Sequence, residues 1–405
     1  MWHTVEARSW RVSVLGLSDA GSRIVQSSIR TMSVECEKVG GVNLAQGVCD
    51  TEVPAVVRQA AEAAIEAGYN QYTRADGIAI LREGIATKLR RRNGIMADPD
   101  SEIVVSSGAT GGFDSACRAL LNPGDEVILF EPFYGYHFST LSAQYCKPVL
   151  VSLDPPDYPL MADRLAAAIT AKTRAVVVNT PANPSGKVFS RAELEQVAEI
   201  ARHYDLFLFT DEIYEHFVYD GLRHVSPASL PKVVDRTITI SGFSKVFSIT
   251  GWRVGYVHAS SRWTAAISYF HDLTYVCAPS AFQHAVAAGL ERLPDSFYAQ
   301  LTIEYQHKRE MVCEGLRSSG LEPSVPGGAY YVLADASAVP GSDSVEKAMN
   351  LLRISGVASV PGGAFFQGGR GDHLLRFCFA KTDSDLANAC QRLTKLRRST
   401  PVASR

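Results

Sequence analysis

The chain has 405 residues, 46% of them apolar and 20% charged, a balance that suits a soluble globular protein with sizeable cores. Its formal net charge of −2 supplies no field that would draw nucleic acid or an anionic membrane, and both are excluded as partners. The eight cysteines are scattered without a CxxC pair, so neither a disulfide framework nor a metal site is expected.

The opening Met1-Trp2-His3-Thr4-Val5-Glu6 has no basic stretch followed by an apolar one, and no run reaches the length of a membrane span. A reducing cytoplasm is the expected location. Residues 1–50 read as an irregular arm that closes on Val42-Asn43-Leu44-Ala45-Gln46-Gly47. From about 53, Val56, Val57, Ala60, Ala64 and Ile65 recur at near-helical spacing. A second helix is predicted over 77–93, with Ile78, Leu81, Ile85 and Leu89 on one face. Short β-branched runs follow at 102–106, 126–130, 174–178, 206–210, 236–240 and 254–258, with helical text between several of them, as at 190–203.

This is an α/β pattern: a large domain over 51–295 whose mainly parallel sheet is flanked by helices. In such sheets ligands gather at the carboxyl ends of the strands. A long helix is predicted over 296–319, and the composition changes beyond Pro326-Gly327-Gly328. Strands at 329–333 and 373–379 alternate there with helices near 343–355 and 383–396, which predicts a smaller α+β domain over 296–405, joined by the arm.

The polar motifs fall at strand ends. Ser107-Gly108-Ala109-Thr110-Gly111-Gly112 stands between a strand and a helical run, where the backbone NH groups of Gly108, Ala109 and Thr110 suit a phosphate. Alone this is a weak motif; a dinucleotide loop would need GxGxxG, which is absent. The sharpest segment runs from Ser241 to Gly255. In it Lys245 follows a strand and a small-residue loop, with Arg253 eight positions on. A lysine near a second cation, or partly desolvated, loses its proton more easily and can form a Schiff base. Arg253 supplies that cation and a forked donor for phosphate, and Ser241 and Ser244 offer hydroxyls to it. Asn183 is held between Pro181 and Pro184 in a stiffened loop. Arg376 sits inside the apolar run Leu374-Leu375-Arg376-Phe377-Cys378-Phe379, where a buried charge is costly unless paired, for instance with a substrate carboxylate.

The segment around Lys245 resembles the cofactor-lysine signature of class I/II aminotransferases, pyridoxal-phosphate enzymes of fold type I. Three more segments agree in the family's chain order: Asn179 to Gly186, Asp211-Glu212-Ile213-Tyr214, and Arg376 to Phe379. The resemblance spans about 25–396 and is strongest over 174–256, where it is similar to the kynurenine and glutamine aminotransferase branch. It implies pyridoxal 5′-phosphate bonded to Lys245, with Asp211 on the pyridine nitrogen and Tyr214 and Asn183 on the ring oxygen. Tyr134, in Glu131-Pro132-Phe133-Tyr134, would stack on the cofactor ring. Arg376, Asn183 and Gly47 would receive the substrate carboxylate. Tyr72, in Asn70-Gln71-Tyr72-Thr73, would reach the phosphate of a neighbouring subunit, so a homodimer with shared sites is expected.

The implied reaction moves an amino group between an amino acid and a 2-oxo acid with ping-pong kinetics. A lyase (C–S β-elimination) or a synthase on the same scaffold would use the same residues. Two departures stand out. Gly242 replaces a serine common in the family, and Val48-Cys49-Asp50-Thr51 replaces the branch's Phe-Pro-Asp-Phe beside the substrate side chain.

Overall fold

The β-branched runs form strands in which alternate residues serve two cores. In the computed structural model, which describes residues 16–19, 21–23 and 28–399, Val176, Val178 and Leu208 pack on one face of the main sheet. Ala175, Val177 and Phe209 pack on the other. A sheet buried on both faces needs helices on both. Gly108–Leu120 and Ser261–Tyr275 cover one side, through Phe113, Ala116 and Ile267. Arg191–His203 covers the other through Leu194 and Val197, and its first turn is closed by a capping box between Ser190 and Glu193.

In chain order the strands are β1 (Val42–Asn43), β2 (Ile103–Ser107), β3 (Glu126–Glu131), β4 (Lys147–Ser152), β5 (Thr173–Asn179), β6 (Phe207–Asp211) and β7 (Thr237–Gly242). They continue as β8 (Val254–His258), β9 (Glu322–Ser324), β10 (Tyr331–Asp335), β11 (Val357–Ala358), β12 (Val360–Pro361) and β13 (Leu374–Cys378). The main sheet has the order β2-β8-β7-β6-β5-β3-β4. Its β4-β3-β5-β6-β7 pairings are parallel, and β8 runs antiparallel to both neighbours. A four-stranded antiparallel sheet, β12-β13-β10-β9, carries Arg376. The arm joins it indirectly, since β1 pairs in parallel with β11.

Three expectations shift. β4 was not foreseen: Pro148 interrupts its pattern, and the structure puts it on the sheet edge, where a missing N–H is tolerated. The helix expected over 77–93 is α-helical over Ala79–Lys88 and becomes a π-helical turn over Leu89–Asn93, ending at Gly94 with φ 70°. The helix expected over 296–319 is Asp295–Ser318. Much of the predicted arm, namely 1–15, 20 and 24–27, lies outside the described residues. Among the described residues no helix is long and apolar enough to cross a membrane.

Candidate active site

Parallel strands end together, and the loops that leave them enclose a cavity of about 350 Å³. Its wall includes Ala109 and Thr110 after β2, Tyr134 after β3, Asn183 after β5, Asp211 at the end of β6, Tyr214, Ser244, Lys245 and Arg253. These come from segments spread between residues 109 and 253 of the chain. Their assembly follows from strand order rather than from sequence proximity.

Lys245 is half-buried, and its Nζ donates a hydrogen bond to the Gly47 carbonyl at 3.2 Å. Burial, first, and then the Arg253 charge pull its pKa below the usual lysine value, against Cys49, Cys378 and Asp211, which raise it. An amine in this state is a nucleophile and a proton acceptor. Its Nζ stands 5.9 Å from the centre of the Tyr214 ring and 5.7 Å from that of Tyr330.

Asp211 is buried, with Oδ2 3.0 Å from His137 Nε2 and Oδ1 accepting from the Ile213 N–H at 3.2 Å. His137 packs against Phe113 at 4.4 Å and meets Tyr134 edge-on at 5.1 Å. Burial, with Tyr331 and Asp211 nearby, lifts the Tyr134 hydroxyl well above the usual tyrosine range. Tyr134 therefore stays neutral and offers a ring face.

At the other end of the cavity the helix Gly108–Leu120 begins without a side-chain cap, so the NH groups of its first turn remain for a ligand. Arg253, at φ 56°, lies against this turn. A Cβ at Gly108, whose φ is +68°, would come within 2.3 Å of Arg253 Nη2. Only glycine permits both the backbone conformation and the approach.

Arg376 adjoins the cavity through Asn183. The guanidinium is fully buried, with Nη1 donating to Asn183 Oδ1 at 3.0 Å and Nη2 to the Ala45 carbonyl at 2.7 Å. Tyr331 and Phe365 flank it at 4.3 and 4.9 Å. Among the described residues it has no acidic partner, and its Nε has no acceptor. Gly47 lies beside it for reasons of space: a Cβ there would stand 2.0 Å from the Tyr331 hydroxyl oxygen.

One expected residue is placed elsewhere, and a second, Tyr72, expected at a neighbouring subunit's phosphate, lies outside this chain's own cavity. Ser241 does not line the cavity; its hydroxyl donates to the Glu212 carbonyl and to Glu215 Oε1, both at 3.2 Å. It lies inside β7, whereas Ser244 and Lys245 stand in the turn that follows the strand and reach the cavity. Tyr72 is 82% exposed and borders a separate hollow with Gln71, Arg74 and His284. Conversely, His137 and Tyr331 were not anticipated. The signal for His137 was faint: a histidine three residues after Tyr134, at a strand's carboxyl end. Tyr331, whose hydroxyl lies 3.0 Å from that of Tyr214, carried none.

Comparison with known proteins agrees with this geometry. Residues 39–393 match the model for aminotransferase class I and II. The probable N-succinyldiaminopimelate aminotransferase of Mycobacterium tuberculosis is 36% identical over 90% of this chain and 94% of its own. The chain belongs to the class I and II aminotransferases. An aspartate aminotransferase of Pyrococcus abyssi is 34% identical over 95% of this chain and 99% of its own. The solved N-succinyldiaminopimelate aminotransferase of M. tuberculosis superposes with a TM-score of 0.91 at 35% identity, covering 94% of this chain and all of that one.

Like its family, this aminotransferase moves amino groups between amino acids and 2-oxo acids and uses pyridoxal 5′-phosphate. The cavity suits that cofactor. It offers an amine of lowered pKa for the aldehyde, a buried carboxylate for the ring nitrogen, an aromatic face for the ring, and helix NH groups with Arg253 for the phosphate.

Proposed function

We propose that Lys245 bonds the cofactor and carries the proton of the reaction, in a ping-pong exchange between an amino acid and a 2-oxo acid. The observation that carries this reading is the pairing of a half-buried lysine with a fully buried arginine around one cavity. Lys245 has a lowered pKa, and Arg376 lacks an acidic partner among the described residues. When bound, the cofactor supplies an aldehyde for amines and an electron sink for the bond that breaks at Cα.

The chain's own residues do the rest. Asp211, oriented by His137, favours the protonated ring nitrogen. Tyr214 and Asn183 serve the ring oxygen, and Tyr134 fixes the ring plane. Gly108, Ala109, Thr110, Ser244 and Arg253 hold the phosphate. Arg376, with Asn183, receives the substrate carboxylate as a fork, and Gly47 leaves room for it. Lys245 Nζ, uncharged, then accepts the Cα proton.

The preferred donors follow from charge. Lys245 and Arg253 are the lysine and arginine of the cavity wall among the described residues, and both are engaged by the cofactor. A second carboxylate on a substrate side chain would find no cation there. Phe113, Tyr136 and Thr140 instead favour neutral side chains, aromatic ones first. The relatives described above carry the names of succinyldiaminopimelate and aspartate, not of kynurenine or glutamine, and lend that branch no support.

We also propose the division into an arm to residue 50, a large domain over 51–295 and a smaller one over 296–405. The pairing of β1 with β11 favours this division. Eight unpaired cysteines favour a reducing, cytoplasmic setting.

One experiment tests the core of this reading. Borohydride reduction of the purified yellow protein, followed by peptide mass analysis, should place the cofactor on Lys245. The same preparation should transaminate phenylalanine or methionine with a higher kcat/KM than aspartate. An adduct on another lysine defeats the site, and a preference for aspartate defeats only the donor class.

A further inference from the structure

Between Pro361 and β13 the chain makes an excursion, residues 362–373, that leaves the small sheet and returns to it. Its middle is fastened to the main sheet. The Phe133 N–H donates to the Phe365 carbonyl at 3.0 Å, and the Gln367 N–H donates to Glu131 Oε1 at 2.7 Å. Arg370 Nε faces the other oxygen of Glu131 at 3.3 Å. Its remaining nitrogens reach the Ser152 hydroxyl and Asp154, the latter at 3.4 Å. Glu131 is buried at the end of β3, and Ser152 ends β4, so one guanidinium spans two strand ends of the other sheet.

Two ends of this excursion matter to the reaction. Phe133, which it grips, precedes Tyr134. Phe365, which it carries, is buried against the Arg376 guanidinium at 4.9 Å. Glu131 holds both: through Gln367 it fixes the turn that follows Phe365, and through Arg370 it fixes the far side of the same loop. Arg370 itself touches neither the cavity wall nor Arg376, and 44% of its side chain is exposed.

We propose that Arg370 is a positioning residue for substrate, clasping residues 362–373 to Glu131 so that Phe365 keeps the Arg376 guanidinium aimed at the incoming carboxylate. This rests on the reading of Arg376 as the carboxylate receptor. The clasp joins the two sheets at the one place where the cofactor-facing aromatic and the substrate-facing arginine are both one residue or one ring away. Its partial exposure makes it weak and salt-sensitive.

The test compares Arg370→Ala, Arg370→Lys, Glu131→Gln and the double variant Glu131→Gln/Arg370→Ala in the holoenzyme. Arg370→Ala should raise the KM for amino donors about three- to tenfold, the scale of one partly exposed ion pair, with kcat and cofactor affinity within about twofold of the parent. Glu131→Gln keeps an acceptor for the Gln367 N–H and should give the same shift. The double variant should add nothing to Arg370→Ala, because the ion pair that Glu131→Gln weakens is already gone. Arg370→Lys should fall between parent and alanine variant, since it keeps the charge without the fork. Hydrogen exchange should quicken at residues 362–373 in Arg370→Ala.

An unchanged KM overturns the proposal. So does a parallel loss of KM, kcat and cofactor affinity, which marks a general structural role, and so do additive effects in the double variant. Arg376→Ala separates the two readings. If it too leaves KM unchanged, the carboxylate receptor is wrong; if it raises KM while Arg370→Ala does not, the clasp alone is wrong.

Discussion

A guanidinium with no counter-charge in a protein interior is held against a desolvation cost of several kcal/mol, and among the described residues Arg376 is such a group. Two neutral oxygens and two aromatic faces soften that cost without cancelling the charge. On the proposed reading, the missing partner arrives with each substrate. Truncation to alanine should therefore raise the KM for amino acids about a hundredfold, on the scale of about 3 kcal/mol for a charged bidentate pair, and leave cofactor affinity near that of the parent. Arg376→Lys should recover little, because an ammonium cannot fork. Steady-state kinetics beside a cofactor titration checks both, and equal losses in the two would assign Arg376 to the framework. This residue was legible in the sequence because a charge inside an apolar run has no cheap explanation. Asp211 was legible because it closes a strand, and Lys245 because it follows one across a small-residue turn. Tyr331 was not, since its hydrogen bond to Tyr214 joins positions 117 residues apart and neither sequence neighbourhood hints at it. Ser241 was not, because the strand expected over 236–240 runs on to Gly242 and holds its hydroxyl against Glu212 and Glu215.

Behind the cavity, the elements are locked by a second buried pair. Lys88, the last residue of the helix Ala79–Lys88, donates to Glu215 and, at 3.0 Å, to the Tyr256 hydroxyl of β8. Glu215 also accepts from Asn93 and from Ser241 of β7. Helix, π-helical turn and β7 thus meet on one carboxylate, four residues from Asp211, and β8 joins them through Lys88. Burial alone would raise the pKa of Glu215. Lys88, followed by His216 and His224, outweighs it and holds the carboxyl well below its ordinary value of 4.5. Because the folded pKa is depressed, the stabilisation is present above about pH 4.5 and is lost as pH falls further toward the folded value. Lys88→Met strands the carboxylate and should cost on the order of 3–5 kcal/mol at neutral pH. The variant should regain part of that deficit relative to the parent in acid, where protonation discharges Glu215. Urea unfolding at pH 7 and pH 4.5 measures this, and a deficit that does not shrink in acid would contradict the pairing. The helix itself was visible from Ile78, Leu81, Ile85 and Leu89; its π-helical end was not, since apolar periodicity says nothing about which carbonyl an N–H selects. β4 was hidden for a comparable reason, as Pro148 excludes a central strand while permitting an edge one.

At the scale of the whole molecule, one expected cofactor contact sits outside its own subunit's cavity. Tyr72 presents an 82% exposed ring on a hollow lined by Tyr69, Arg74 and His284, separate from the wall that carries Lys245. An exposed tyrosine is unremarkable in isolation. Here further apolar groups stand exposed: Tyr269, Leu273, Tyr275 and Val276, all in or just after the helix Ser261–Tyr275. Gly111, beside the phosphate-binding turn, packs against Tyr275 of that same helix. The dimer that the sequence resemblance implies, covering these groups, has each site borrow Tyr72 from the other subunit in a two-fold arrangement. This can be decided by arithmetic. Let Tyr72→Ala and Lys245→Ala each abolish activity alone. In a hybrid dimer, the subunit that retains Lys245 receives an intact Tyr72 from its partner, while the other site carries both defects. Random mixing makes half the dimers hybrids with one working site of two, so about a quarter of parental activity should return after co-refolding or co-expression. If Tyr72 served its own subunit, every site in the hybrid would carry one defect. Verified hybrids without recovered activity would therefore return Tyr72 to the surface and leave the Lys245 cavity to be completed by one chain.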